Sequence, residues 1–415
     1  MKAFGAIFFF CVAWIAEVST SSLTCGVVSW NLAEKIPSDA DGAFIKALQE
    51  DDIVVLGVQE CEDVKFRRHE GHKSRAWHAL QKKALGKGFK SVASHSLGGM
   101  KLDIYVKKTL NKVVKIVHIM DVPCGIGNVI GNKGGICAVL KVKDSYIAVV
   151  NNHFAAHQNK VKERNADFAR VVTTIRDRLR EEVEGLESRV AKRKKAAKRI
   201  SKNEEEVLSL ARGQYRQEQE DLAHLTGQNI ASQPAIDPKV AFRFDDRLDG
   251  ITAPDTSFNE LFDAVIFLGD FNYRLNVPRL EIELAREEGP EAMREIFEHD
   301  QLHKERSRGR SFAFYTEDPV EFLPTYKYDK NSDMYDSSPK MRSPAWTDRI
   351  LYHNGVEAQN DRLFSLSPLI RDEERDIGSN GDGARKGVIE SRSYLAVDSR
   401  ASDHRPVMSR LVLSV

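Results

Sequence analysis

The sequence predicts an α/β fold built on antiparallel or mixed β-sheets, and three observations support this prediction. Short apolar runs rich in β-branched residues alternate with segments of helical spacing between residues 23 and 170, which indicates sheets and helices that share one core. The composition, 41% hydrophobic and 30% charged residues, is that of an ordinary soluble protein. No internal repeat or second folded domain is evident in the 415 residues, which favours one large domain.

The predicted elements follow from the spacing of apolar residues and from turn-forming residues between them. Strands are predicted at Cys25–Ser29, Ile53–Val58, Leu102–Val106, Val113–Met120, Ile136–Val142, Tyr146–Asn151, Ala264–Leu268 and Pro406–Val415. Helices are predicted at Ala40–Gln49, Ala76–Leu85, Pro278–Glu288 and Ala292–His299. Residues 371–393 are rich in glycine, serine and charge, which is typical of a mobile loop.

A long charged helical insertion is predicted at about residues 175–245. Apolar side chains recur there at steps of three and four residues, beginning with Ile175 and Leu179, which is the pattern of an amphipathic helix or a helical hairpin. Its basic peak is Ala191–Arg199. Such a run either contacts anionic lipid or nucleic acid, or is a solvated helix face, and the second is the more common case.

The first 22 residues form an apolar leader. Lys2 precedes the apolar run Phe4–Ala16, and this order fits a secretory signal peptide or a membrane anchor. The cysteines beyond the leader, Cys25, Cys61, Cys124 and Cys137, have no C-x-x-C spacing. We therefore expect buried thiols rather than a disulfide framework, which weakens the secretory interpretation.

Polar side chains follow several of the predicted strands. Asn31 and Glu60 each end an apolar run and offer the oxygen ligands that Mg²⁺ prefers. His153 ends another and can donate to a phosphoryl oxygen or protonate a leaving group. Asp270 and Asn272, two residues apart after Ala264–Leu268, point to the same side of an extended chain. These positions predict an active site at the strand ends.

Two later segments add partners to this group. Asp348 lies in the segment Ser343–Leu351, and His404 follows Asp403 near the C-terminus. An aspartate commonly fixes the tautomer of a histidine and stabilises its imidazolium form, so Asp348 is predicted to pair with His404. The net charge of +1 argues against a protein that binds polyanions by bulk charge.

These motifs resemble those of the inositol polyphosphate 5-phosphatases, within the exonuclease III/deoxyribonuclease I-like superfamily. The two most specific segments are Phe267–Arg274 (FLGDFNYR) and Arg342–Leu351 (RSPAWTDRIL). Gly131–Gly135 and Arg164-Asn165 are also similar to family segments. Phe267 is a mild departure, because the family commonly has tryptophan at this position. The resemblance covers the chain from about residue 23 to residue 415, apart from the insertion.

The resemblance implies a four-layer sandwich of two packed mixed sheets flanked by helices. It also implies that Glu60 binds Mg²⁺ with Asn31 close to the metal, and that Asp403 lies beside the metal site. Asp270 would activate water, and Asn272 would position it. The remaining catalytic residues it implies are His153 and His404, which would stabilise phosphoryl charge, and Asp348, which would orient His404.

The resemblance further implies a substrate site. Tyr326, Lys327, Lys340 and Arg342 would grip a 4-phosphate, and Asn132 and Lys133 are also assigned to substrate binding. Ile126, Val129 and Ile130 either contact a membrane or fold back onto the core.

The expected function is Mg²⁺-dependent removal of the 5-phosphate from phosphoinositides or soluble inositol polyphosphates by direct attack of water. The alternatives are a related phosphodiesterase, of the nuclease or sphingomyelinase type, and a non-catalytic phosphoinositide-binding module. Peripheral membrane contact is plausible, no nucleic-acid partner is expected, and protein partners are not predicted. The family's substrates face the cytoplasm, whereas the leader indicates the secretory pathway.

Overall fold

The structure is a computed structural model that describes residues 22–62, 71–125, 132–143, 145–200, 256–354 and 389–415. Its strands are β1 (Ser22–Asn31), β2 (Ile53–Gln59), β3 (Phe89–Leu97), β4 (Met100–Lys107), β5 (Val114–Pro123), β6 (Gly134–Val142), β7 (Ser145–His153), β8 (Ala264–Asp270), β9 (Asp348–Asn354), β10 (Ile389–Ala396) and β11 (Val407–Ser414). Its helices are α1 (Phe44–Ala47), α2 (His72–Leu85), α3 (Val161–Ile200), α4 (Thr256–Asn259), α5 (Arg279–Glu288), α6 (Pro290–Phe297) and α7 (Gln301–Ser307).

The strands form two sheets. One has the order β10-β11-β1-β2-β4-β3, and the other has the order β5-β6-β7-β8-β9. Each sheet contains a single parallel pair, β1 with β2 and β7 with β8, while the other neighbours are antiparallel. Both sheets are therefore mixed, as the sequence predicts.

Alternation of side chains along the strands produces the layers. In β2, Ile53 and Val55 point into the core between the sheets, while Val54, Leu56 and Val58 pack with residues of α1 and α2. In β8, Ile266 points into the same central core, whereas Phe267 packs with residues of α3. Both faces of each sheet are covered in this way. The predicted four-layer sandwich is confirmed.

Helix α3 begins well before the predicted insertion. Its apolar face contributes Phe168, Val172, Ile175 and Leu179 to the core beneath the second sheet, and all four side chains are buried. The first residues predicted as insertion are thus part of the domain's packing. Residues 201–255, which include most of the predicted insertion, lie outside the described residues, as do residues 1–21 of the leader and Ile126, Val129 and Ile130.

Several predicted boundaries were wrong. Strands β3 and β10 were missed, and residues 389–393 of the predicted mobile loop belong to β10, while residues 371–388 lie outside the described part of the chain. Both strands lie at sheet edges and are mostly half-exposed or exposed, so their sequences lack a continuous apolar run. The helix predicted at Ala40–Gln49 is reduced to α1 and a 3₁₀ turn. Helix α7 was also missed.

The N-terminal strand starts at the last residue of the predicted leader. β1 begins at Ser22 and pairs along its length with β11, from Ser22 opposite Ser414 to Ser29 opposite Val407. Ser22, which was predicted as part of the leader, is thus a residue of the sheet. No helix in the described ranges has both the length and the apolar content needed to cross a bilayer.

Replacement of Gly269 by alanine tests the close approach of β7 and β8. Gly269 has a φ of +149°, and a Cβ there would lie 2.1 Å from the carbonyl oxygen of Asn152 on the neighbouring strand. We expect Gly269→Ala to lower the free energy of unfolding by about 3 kcal/mol, because overpacking and a disfavoured φ combine. Urea denaturation measures the loss, and we expect the slope of the unfolding free energy against urea concentration to be unchanged.

Gly88→Ala is the matched control, since a Cβ at Gly88 has no heavy atom within 4 Å. A loss below about 1 kcal/mol in Gly269→Ala, or an equal loss in the control, would contradict this account.

Candidate active site

The candidate site lies where both parallel strand pairs end. The last residues of these four strands are Asn31, Gln59, His153 and Asp270. Asp270 lies opposite His153 on one side and opposite Asp348, the first residue of β9, on the other. Glu60 follows β2 directly and has a left-handed backbone, with φ of +50°. The strand register therefore gathers the predicted polar residues at one end of the sandwich.

Asp270 is the buried centre of the group. Its Oδ1 accepts the backbone N–H of Asn272 at 3.0 Å, and its Oδ2 accepts from Asn31 Nδ2 at 2.9 Å and lies 3.4 Å from His153 Nε2. Burial alone would raise the pKa of Asp270, but the hydrogen bond from His153 and the nearby charge of His404 hold it well below its usual range. Asp270 is therefore ionised at neutral pH.

His404 is held as a cation by Asp348. Its Nδ1 lies 2.8 Å from Asp348 Oδ2, and the same oxygen accepts the hydroxyls of Thr325 at 2.8 Å and Thr347 at 2.9 Å. Burial alone would lower the pKa of His404, but the carboxylates around it, led by Asp348, raise it to about 10. The structure thus brings together the pair that the sequence predicts, with the proton on the imidazole.

His153 is in the opposite state. Its Nε2 contacts Lys133 Nζ and lies 3.7 Å from Glu60 Oε1. Burial and the adjacent Lys133 charge lower the pKa of His153, so the imidazole is neutral at neutral pH. Two histidines with pKa values pushed apart flank one ionised aspartate. Such separation is typical of sites that carry out acid–base chemistry.

Two groups of side chains could hold a metal ion. Asp270, Asp348 and His404 offer ligand atoms that all lie within 4.8 Å of one another, but a protonated imidazole cannot coordinate a metal. Glu60 fits better, because its carboxylate is 40% exposed and its described ion-pair contact, with neutral His153, is as long as 3.7 Å. Among the described residues, the donor to Asn31 Oδ1 is the N–H of Ala33, at 2.9 Å. These oxygens form a donor set that suits a hard divalent cation.

The predicted phosphate-binding residues lie beside His404. The Tyr326 ring packs on the His404 ring at 4.5 Å, and Lys327 Nζ contacts Asp403 Oδ2. Burial alone would raise the pKa of Asp403, but His404 and Lys327 lower it. Asp403 is thus held by Lys327, and its carboxylate is ionised.

Arg342 and Lys340 are farther along the same loop. Arg342 pairs with buried Asp336 at 3.4 Å, and Asp336 N–H donates to the carbonyl of Lys327 at 2.9 Å, so Arg342 is linked to Lys327. Lys340 is exposed, and its described hydrogen bond stays within its own turn. Asn132 is half-buried, and its Oδ1 has no hydrogen-bond partner among the described residues.

Sequence reasoning gave no role to three residues that the structure places in the site. Thr325 and Thr347 donate to Asp348, and Arg274 lies over the Tyr326 ring at 4.4 Å. Arg274 and Thr347 belong to the two quoted motifs, which was the only available signal. Lys133 was assigned to substrate binding, and in the structure its ammonium contacts His153.

The fold is a two-sheet α/β sandwich, and its ionisable side chains cluster at one end of the two facing sheets. This is the arrangement expected of an enzyme. The family model for endonuclease/exonuclease/phosphatase family 2 matches residues 28–410. The chain therefore belongs to the endonuclease/exonuclease/phosphatase family.

The curated relatives of the chain include inositol polyphosphate 5-phosphatases and synaptojanins, so the resemblance predicted from the motifs is confirmed. Synaptojanin of Caenorhabditis elegans is 26% identical over 86% of this chain and 23% of its own length. Type II inositol polyphosphate 5-phosphatase 14 of Arabidopsis thaliana is 29% identical over 78% of this chain and 23% of its own length. The chain thus spans about a quarter of the length of these relatives.

Solved structures confirm the fold. The inositol polyphosphate 5-phosphatase domain of SPsynaptojanin, solved in complex with inositol (1,4)-bisphosphate and calcium ion, gives a TM-score of 0.59 at 22% identity, covering 95% of this chain and 84% of that one. Cimex nitrophorin, solved as a ferrous NO complex, gives a TM-score of 0.56 at 16% identity, covering 95% and 99%. Proteins with different ligands therefore share this fold.

Asp348→Asn tests the buried ion pair. At pH 7 His404, with a pKa of about 10, is protonated beside Asp348. Removal of the carboxylate charge leaves a buried histidine without its anion, and we expect the free energy of unfolding to fall by about 3 kcal/mol. Urea denaturation measures the change.

The same substitution in a His404→Gln background separates the ion pair from general damage to packing. If the two residues act as a pair, the Asp348→Asn cost should shrink to less than about 1 kcal/mol in that background. An equal cost in both backgrounds would show that the pair is not the source of the stability.

Proposed function

We propose that the chain is a Mg²⁺-dependent phosphatase that removes the 5-phosphate of phosphoinositides or soluble inositol polyphosphates. The observation that carries this proposal is an ionised Asp270 between a neutral His153 and a cationic His404. Curated relatives named for inositol polyphosphate 5-phosphatase activity support the substrate class. Phosphoryl transfer demands in-line positioning and neutralisation of charge rather than covalent chemistry from the protein.

Glu60 and Asn31 would hold the metal ion. Their oxygens suit Mg²⁺, and the exposed Glu60 carboxylate has no competing cation within hydrogen-bond distance among the described residues. When bound, the ion supplies Lewis-acid neutralisation of phosphoryl charge. The other steps belong to the side chains around Asp270.

Asp270 would orient the attacking water rather than remove its proton early. A carboxylate whose pKa is held well below its usual range is a strong hydrogen-bond acceptor but a weak base, and general bases work best with a pKa near the operating pH. Asn272, whose N–H donates to Asp270 Oδ1, would position the same water.

His404 and Lys133 would stabilise the phosphoryl group. His404 is a cation fixed by Asp348 and can donate a hydrogen bond to a phosphoryl oxygen or a proton to the inositol oxygen that leaves as the P–O bond breaks. Neutral His153 contacts the ammonium of Lys133 and would hold the lysine charge near the reacting phosphate. The positive charge thus comes from the imidazolium of His404 on one side of Asp270 and from the Lys133 ammonium on the other.

Tyr326, Lys327 and Arg342 would bind the neighbouring 4-phosphate, with Lys340 reaching it from the rim. Without substrate, Lys327 contacts Asp403 and Arg342 pairs with Asp336. A phosphate would compete with these carboxylates for both cations. A phosphodiesterase of the nuclease type has no need of this cluster, which favours the phosphatase over that alternative.

Lipid and soluble substrates share the headgroup that these residues would contact. The predicted membrane contacts Ile126, Val129 and Ile130 lie outside the described residues, so peripheral membrane contact stays a prediction. The two compartments indicated by the leader and by the family, secretory and cytoplasmic, likewise stay predictions.

Phosphate release tests the proposed activity directly. The chain without residues 1–21 is assayed on PtdIns(4,5)P2 in vesicles and on soluble Ins(1,4,5)P3, with Mg²⁺ and with a chelator. We expect Mg²⁺-dependent release, and we expect Asp270→Asn to lower kcat at least about 1,000-fold, equivalent to about 4 kcal/mol of transition-state stabilisation.

The control for this assay is Asp177→Asn. This exposed carboxylate pairs, within the described ranges, with its neighbour Arg176, and the variant should keep full activity. The ratio of the two rates distinguishes lipid from soluble substrates. Absence of release from both would overturn the proposal. In parallel assays, nucleotide release from DNA or phosphocholine release from sphingomyelin would favour the phosphodiesterase alternative.

Lys327→Met tests the 4-phosphate site. We expect KM for Ins(1,4,5)P3 to rise at least about tenfold, because a charge-assisted contact worth about 1.4 kcal/mol or more is lost. KM for an inositol bisphosphate that has the 5-phosphate but not the 4-phosphate should change little.

Lys330→Met, at an exposed lysine of the same loop, is the matched control and should leave both KM values unchanged. A similar rise for both substrates in Lys327→Met would show that Lys327 does not recognise the 4-phosphate.

A further inference from the structure

Arg274 is a buried cation that the proposed chemistry leaves without a task. Its side chain is 8% exposed. Its Nε donates to the Asn272 carbonyl at 3.1 Å, its Nη2 donates to Asn272 Oδ1, and its guanidinium lies 4.4 Å from the Tyr326 ring centroid. Within the described ranges it makes no ion pair with a carboxylate. Burial of a guanidinium without a carboxylate partner is costly, so its presence at this position requires an explanation.

The contacts of Asn272 supply that explanation. Its Nδ2 donates to the carbonyl of Phe154 at 3.1 Å, while its Oδ1 accepts from Arg274. A guanidinium can only donate and a carbonyl can only accept. A flipped amide would set the Asn272 oxygen against the Phe154 oxygen and the amide NH₂ against the guanidinium. Together these two partners leave Asn272 a single orientation.

The backbone of Asn272 makes this orientation matter for the site. Asn272 has a left-handed backbone with φ of +59°, and its N–H donates to Asp270 Oδ1 at 3.0 Å. The Arg274 Nε bond to the Asn272 carbonyl closes the same turn. Arg274 thus fixes both the backbone and the amide of the residue that follows the central carboxylate by two positions.

Arg274 also reaches the other side of the site. Its guanidinium lies over the Tyr326 ring, and the centroid of that ring lies 4.5 Å from the centroid of the His404 ring. Arg274 therefore contacts Asn272 on one side of Asp270 and, on the other side, the tyrosine that packs against His404.

We propose that Arg274 is a positioning residue: it sets the amide orientation of Asn272, and thereby the placement of the water that Asp270 and Asn272 handle. This inference rests on the proposed phosphatase function. It assigns to Arg274 an effect on kcat that passes through Asn272, with a smaller effect on KM, because the buried guanidinium is not itself a proposed substrate contact and the Tyr326 ring keeps its packing against His404. Its charge alone does not perform this task.

A double-mutant cycle in kcat tests the route through Asn272. We expect Arg274→Met to lower kcat about 100-fold, the scale of a small misplacement of a reacting group, and KM to change less than about threefold. In an Asn272→Ala background the same substitution should lower kcat by less than about threefold. Equal losses in both backgrounds would overturn the proposal.

Two further variants sharpen this cycle. Arg274→Lys keeps the charge but cannot make both bonds from one planar group, so it should recover little activity; full recovery would show that charge alone acts. Arg164→Met removes another buried arginine, which lies 5.1 Å from the Tyr273 ring and donates to backbone carbonyls. Any loss it causes should be the same in both backgrounds.

An NMR measurement keeps the inference independent of turnover. The Asn272 side-chain NH₂ signals are identified by their loss in Asn272→Ala, and their hydrogen exchange is compared between the wild type and Arg274→Met. We expect exchange at least about tenfold faster in the variant, because the bond to Phe154 is no longer enforced. Unchanged exchange would overturn the proposal. If the wild type released no phosphate, the proposed function would fail while the exchange rates still decided the role of Arg274.

Discussion

The rest of the site depends on one constraint: Asp270, Asp348 and His404 are all buried, and one carboxylate or imidazole atom of each lies within 4.8 Å of the others. Two carboxylates on adjacent strands repel, and removal from water increases that repulsion. The imidazolium of His404 offsets this repulsion together with specific hydrogen-bond donors to both carboxylates, although Asp348 Oδ1 has no hydrogen-bond partner among the described residues. Asn31 and the Asn272 N–H serve Asp270, and the hydroxyls of Thr325 and Thr347 serve Asp348. Loss of any donor would leave charge buried without compensation, so these neighbours form a set.

The fold supplies this set by bringing strand ends close together. Gly269 allows β8 to approach the Asn152 carbonyl, and Gly57 leaves room where a Cβ would lie 2.9 Å from the Asn151 side chain. Asn151 then accepts a hydrogen bond from Gln59 across the two sheets at 2.7 Å. The sheets are thus fastened to each other one or two residues from Glu60 and His153. A shift of one strand by one residue would turn these side chains to the other face of the sheet. The geometry of the site therefore depends on the register of the strands.

The parts of this arrangement that the sequence could predict are those with a local signal. β2 and β8 are fully buried apolar runs, and the polar residues that end them, Glu60 and Asp270, were recognisable as candidates. Asp348 and His404 were paired from chemistry and from family motifs. The contact of Lys133 with His153 could not be predicted, because it joins segments whose relative position is set by tertiary packing. Edge strands such as β3 lack an apolar run because most of their side chains are partly or fully exposed to solvent and need not be hydrophobic.

The shared fold of a 5-phosphatase domain and a nitrophorin shows that the sandwich alone does not fix a function. What distinguishes this chain is the chemistry that the strand ends carry. A module that only binds anions needs positive charge, and Lys133, Lys327 and Arg342 would suffice for it. It has no need of a buried carboxylate such as Asp270 near Lys133, since that negative charge weakens the attraction for any phosphate. The retention of an ionised Asp270 between a neutral and a cationic histidine is unfavourable for binding and useful for directing water at a phosphoryl group. The electrostatics of the site therefore favour turnover over passive binding.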